Sequence, residues 1–179
     1  GILGGLKRMV AGESYFMNHF TATHEGGEVW LSCTLPGDMH EIEMDASTKV
    51  ILQSGSYVAS EESIDIGIDW QGFKSLFAKE GLFWINLQGS GKVVVNSFGA
   101  IYSIDVDGEY VVDTGYIVAF TGGLHYNVES VGGLKSLFFS GEGLVCRFRG
   151  QGKLWIQTRH PGAFAGWTWP FRPPPPNNN

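Results

Sequence analysis

Charge is what this chain has least of. Asp, Glu, Lys and Arg make up 17% of its 179 residues, against about a quarter in ordinary globular domains. The basic residues form no dense run, the nearest being Lys7-Arg8, and the formal net charge is −6. An acidic chain without a basic stripe repels a phosphate backbone, so nucleic acid is not an expected partner. Cysteine is nearly absent too. Cys33 and Cys146 are too few for a disulfide scaffold, and both lie in apolar strand-like runs, so they read as buried free thiols. No apolar run approaches 18 residues or so, and no membrane span is expected. The opening GILGGLKRMVAG lacks a signal-peptide cleavage pattern. It starts on Gly rather than Met, and the expectation is that the true start lies upstream.

Aromatic residues and glycine are abundant instead: 12 Phe, 6 Trp, 6 Tyr and 26 Gly, within 43% hydrophobic residues. That is the composition of an ordered all-β body of many short strands joined by tight turns. No run keeps a 3.6-residue period beyond a turn or two around FKSLFAK and LKSLFF, so long helices are not expected.

One phrase recurs three times. Residues 6–16 read LKRMVAGESYF, residues 73–83 read FKSLFAKEGLF and residues 134–145 read LKSLFFSGEGLV. Each places a lysine (Lys7, Lys74, Lys135) ahead of a glycine-flanked glutamate (Glu13, Glu80, Glu142), and the lysine spacings are 74 − 7 = 67 and 135 − 74 = 61. Each phrase is followed by an apolar run, a Gly turn (His24–Gly27, Gly89–Gly91, Gly150–Gly152) and a second apolar run, which reads as three hairpins. Further turns are expected at Pro36-Gly37-Asp38 and Asp107-Gly108. KVILQSGSYVAS (49–60) and EYVVDTGYIVAF (109–120) also match, with Gly55 and Gly115 splitting each into two strands, and SIDIGID and LHYNVES follow with period-two alternation. Tandem units are the reading: a partial unit 1–45, a unit 46–106 and a unit 107–160. Residues 161–179 form an aromatic and Pro-rich tail, expected to be a mobile extension, in which Phe164, Trp167, Trp169 and Phe171 precede four prolines.

No catalytic, metal or cofactor-binding set is assigned. The five histidines, His19, His24, His40, His125 and His160, contain no His-x-His pair and read as surface or singly satisfied groups. There is no Gly-x-Ser-x-Gly elbow, and neither cysteine has a nearby histidine. The Gly-x-Gly turns lack the strand–loop–helix context of a phosphate loop. Asp38, Glu41, Glu43 and Asp45, then Glu61, Glu62, Asp65 and Asp69, read as a solvated face. The repeated lysine and glutamate read as structural, with the glutamate accepting backbone N–H bonds in a tight turn. Trp30, Trp70, Trp84 and Trp155 read as core filling, or as the lining of small-ligand sites between units.

The LKRM-x-x-GES opening, the PGD turn, the VD-x-G-x-x-VAF run and the closing GEG…G-x-G…Q-T-R resemble the mitochondrial-biogenesis family named for altered inheritance of mitochondria, member twenty-four. The resemblance covers roughly residues 4–160. It implies a double-stranded β-helix whose β-sandwich units are similar to the tryptophan RNA-binding attenuator protein, packed as a single-chain pseudo-trimer. It implies no agreed enzymatic activity, and relatives in eukaryotes are associated with mitochondrial inner-membrane organisation. Without a mitochondrial presequence, a prokaryotic cytoplasmic protein is expected. The resulting expectation is a non-enzymatic scaffold that self-associates or binds a protein partner. The alternative is a small-ligand module with sites between β units; no cofactor is expected.

Overall fold

The computed structural model describes residues 18–33, 35–69, 84–130 and 144–173. The Lys–Glu phrases, except Leu144 and Val145 at the end of the third, and Trp70 lie outside the described residues. The chain divides into two units at Leu31/Ser32. In the first, residues 18–31 contain no helix or strand, only a turn near Gly26, whose φ of 85° suits glycine. No strand of the hairpin expected around this turn is present among the described residues; residues 14–17 of its first arm lie outside them.

Among its described residues the second unit is all-β apart from two short 3₁₀ turns and its C-terminal end. The described residues form ten strands: β1 (Met39–Met44), β2 (Val50–Gln53), β3 (Tyr57–Ser60), β4 (Ile64–Asp69), β5 (Trp84–Gly89), β6 (Gly91–Asn96), β7 (Ile101–Asp113), β8 (Ile117–Thr121), β9 (Leu124–Ser130) and β10 (Leu144–Gln157). One sheet runs β1-β6-β3; the other runs β4-β5-β2-β8-β10-β7, with β9 also paired to β10. All the strand pairings are antiparallel.

The expected hairpins across Gly89–Gly91 and Gly150–Gly152 are not hairpins. β5 pairs with β2 and β4, whereas β6 pairs with β1 and β3. β10 runs unbroken through Gly150-Gln151-Gly152. The glycines are corners at which a strand leaves one set of neighbours for another. Gly89, Gly91 and Gly150 have φ of 129°, 152° and 117°, values that L side chains avoid, and this bends the strand without reversing it. Asp107-Gly108 is likewise no turn: Gly108, φ 106°, sits inside β7 directly opposite Gly150.

Two segments, β2–β6 and β7–β10, carry coincident ladders. Tyr57↔Val95, Ala59↔Val94 and Ser60↔Val93 carry an irregularity between Tyr57 and Ala59; Ile117↔Ile156, Ala119↔Trp155 and Phe120↔Leu154 carry it at the matching place. Short 3₁₀ turns, Ser54–Ser56 and Thr114–Tyr116, follow β2 and β7, entered with φ, ψ of −68°, 135° and −61°, 134°. Gly37 and Gly99 form a parallel bridge, and a Cβ on Gly37 would run into the Ser97 and Gly99 backbone.

The core fills from these ladders. Trp84, Phe120, Tyr126 and Phe148 meet edge to face or tilted, with centroids 4.9–6.4 Å apart, and Leu124, Leu154 and Ile117 close around them. Edge-on ring contacts add about 0.5–1.5 kcal/mol each beyond the area they bury.

After β10, His160 caps a helix, α1 (Pro161–Thr168), and a 3₁₀ turn follows at Trp169–Phe171. The sequence predicts a mobile extension over residues 161–179; residues 161–171 are instead a helix and a 3₁₀ turn. Pro161 starts the helix because its missing N–H lies where a helix has no acceptor to offer, and the His160 ring supplies the cap. The prolines at 174–176 lie outside the described residues.

Candidate functional site

Two features stand out in the second unit. The first is a cleft. It forms where the Asp45–Lys49 turn, β7 at Asp105–Asp107, the Gly122-Gly123 turn and the β10 corner at Gln151–Lys153 converge, and it encloses about 790 Å³. Its polar groups are mostly held by one another. Lys153 Nζ lies 2.6 Å from Asp105 Oδ1, and Gln151 Nε2 donates to Asp107 Oδ1 at 3.1 Å. The Lys153 backbone N–H donates to Thr121 Oγ1 at 3.0 Å. Asp45 accepts from the Ser47 and Thr48 hydroxyls, which hold its carboxyl below the usual range, the Ser47 bond most. Lys49 has no carboxylate partner among the described residues.

The second feature is the face of α1 and the turn after it. No residue of either is buried. Trp167, Trp169 and Phe171 are 66%, 61% and 75% exposed. Phe164 anchors the helix against Phe98, centroids 5.2 Å apart, and stacks toward Trp167. His160 Nδ1 accepts from the Ala163 N–H at 3.0 Å, and its ring covers Gly115, where any Cβ would overlap it. The Arg172 guanidinium lies 3.5 Å from the Trp169 ring centroid and Arg159 sits over Phe98; such cation–ring contacts are ordinarily favourable.

The residues singled out from the sequence scatter. His40 and His125 stand exposed on β1 and β9, His24 shares a hydrogen bond with Thr23, and only His160 has a defined task. Among the described residues no group of three His, Cys, Asp or Glu side chains could hold a metal. Glu41 and Glu43 do share one face of β1, with Ile42 and Met44 buried on the other. Glu41 pairs with Lys92 at 2.9 Å, which raises the lysine above its usual range. Asp38 accepts from the Ile101 N–H at 3.3 Å. Glu61, Glu62 and Asp65 are exposed.

Both thiols are free. Cys146 is buried and desolvation pushes it to about 12, so it stays a thiol; Cys33 is only half-buried, donating to the Leu35 carbonyl. Trp84 and Trp155 are core residues, as expected, but Trp30 is 91% exposed. The C-terminal helix was missed, although Pro161 and the small residues after it were a signal.

A family model described as Mitochondrial biogenesis AIM24 matches residues 1–159. The chain belongs to the AIM24 family. This AIM24 chain is 31% identical over 169 residues to an uncharacterised protein of Streptococcus pyogenes, covering 92% of the chain and 67% of the relative. It is also similar to the crystal structure of a Streptococcus pyogenes protein, with a TM-score of 0.67 and 28% identity, over 78% of this chain and 62% of that one. The chain thus spans about two thirds of the length of the relatives it matches. No helix among the described residues is long and apolar enough to cross a membrane.

Proposed function

We propose that this AIM24 chain is a non-enzymatic interaction scaffold: a rigid β body that presents an apolar contact surface. The observation that carries the reading is the exposed aromatic face of α1, because soluble chains seldom leave large clustered rings in water without a surface to meet them. The body is read as a double-stranded β-helix of attenuator-protein-like units arranged as a pseudo-trimer, with a partial unit 1–45 and units 46–106 and 107–160. The coincident ladders of β2–β6 and of β7–β10 support the repetition. Native mass spectrometry of the full chain is the test. Bare chain, or whole multiples of it, is the expected result. A constant small increment on every chain would overturn the scaffold reading.

A second reading has its own observation, the polar cleft between the units, with Lys49 available to an anionic group. A co-purifying small molecule that is lost on Lys49→Ala would establish it.

A further inference from the structure

The exposed helix face leaves open what covers it, and charge narrows the choice. The chain carries 18 acidic residues, yet residues 143–179 contain no Asp or Glu and five cations: Arg147, Arg149, Lys153, Arg159 and Arg172. The first three are ion-paired to Glu109, Glu129 and Asp105 within the sheet. Arg159 and Arg172, which flank the helix, have no carboxylate partner among the described residues. An uncharged segment rich in Trp and Phe is thus bracketed on a net-acidic protein by two guanidiniums that rest on aromatic rings, with no carboxylate partner among the described residues.

The helix is apolar on every side and none of its residues is buried. A protein groove covers one stripe of a helix and leaves the rest wet; an element apolar all round favours a medium that surrounds more of it. Trp and Phe with flanking arginines have the chemistry of the headgroup region, where rings sit at the apolar boundary and cations meet lipid phosphates. We infer that α1 and the Trp169–Phe171 turn dock on an anionic lipid bilayer surface, with Trp167, Trp169 and Phe171 in the headgroup layer and Arg159 and Arg172 against its phosphates. The inference rests on the scaffold reading and names its partner surface.

The test uses the full chain with vesicles of phosphatidylcholine alone or mixed with phosphatidylglycerol, read by co-sedimentation. Two cations near an anionic surface predict binding about thirtyfold tighter to the mixed vesicles. The triple variant W167A/W169A/F171A loses binding to both kinds while keeping its melting temperature, since those side chains are exposed. R159Q/R172Q loses the preference for phosphatidylglycerol. Absence of binding, or equal binding to both vesicles, overturns the inference. If the vesicles fail and the triple variant instead halves the native mass, a second copy of the chain covers the helix; the lipid inference then falls while the scaffold reading stands. A small-molecule increment in the native spectrum would sink the scaffold reading whatever the vesicles do.

Discussion

Arg147 lies on β10 between Glu109 of β7 and Glu129 of β9, joined to both, and Arg149 adds a second bond to Glu109 at 2.8 Å. Glu109 is held below the usual carboxylate range by Arg149 first and Arg147 next; Glu129 is held down by Arg147, then by the Asn127 amide. A carboxyl lowered by folding contributes stability at pH above its ordinary value of 4.5, and that contribution is lost as pH falls through the lowered value. Arg147→Gln is therefore expected to lower the melting temperature at neutral pH and to flatten its fall in acid; parallel melting curves against pH would refute this. Gln157 is a buried counterpart. Its Oε1 accepts from the Phe98 N–H and its Nε2 donates to the Gly115 carbonyl, both at 2.8 Å. Gln157→Leu leaves both groups buried and unpaired, and is expected to cost about 1–3 kcal/mol per orphaned group, measured by denaturant unfolding. Asn96 holds the matching place: with its amide nitrogen toward Gly55 it donates to that carbonyl at 3.0 Å. The glycines at 55 and 115 were visible in the sequence as equivalent positions. The amides that grip them were not, because Asn and Gln differ by a methylene and neither stands out in an alternating run.

At the scale of elements, periodicity located most of the strands. SIDIGID and LHYNVES became β4 and β9, and the two Gly-split runs became strand, 3₁₀ turn, strand. Pairing was not legible, because a Gly-x-Gly between two apolar runs reads alike whether the chain reverses or bends. The difference lies in which neighbours each arm finds, a non-local property that no single segment encodes. The aromatic face was half legible: the rings were seen in the tail, while the helix that holds them depends on His160 and on the space above Gly115. This predicts how α1 is attached. His160→Ala removes the acceptor for Ala163 and the ring over Gly115. The loss of a helix cap costs about 0.5–2 kcal/mol, and α1 is expected to exchange its amide hydrogens faster while β10 does not. Equal protection of α1 in both proteins would show that Phe164 against Phe98 suffices.

For the body as a whole, the decisive contact is the seam between β2 and β8. There Ile51 faces Phe120 and Leu52 faces Ala119, and Leu52, Ala119 and Phe120 are fully buried. Each segment alone has its own ladder, so the two could melt separately if the seam were a mere abutment. The seam instead continues the hydrogen-bonded sheet from one segment into the other, and the aromatic cluster draws Trp84 from one and Phe120, Tyr126 and Phe148 from the other. Neither half can leave without exposing the other's core, so one cooperative transition is expected. Leu52→Ala, which opens a cavity at the seam, is expected to cost about 2–5 kcal/mol and to shift that transition without splitting it. Coincident near-ultraviolet and far-ultraviolet melting curves in both proteins would bear this out. Two separated transitions in the variant would mean that the segments fold independently and that the seam only joins finished units. A contact surface such as α1, carried by one segment, would then be held by that segment's stability alone.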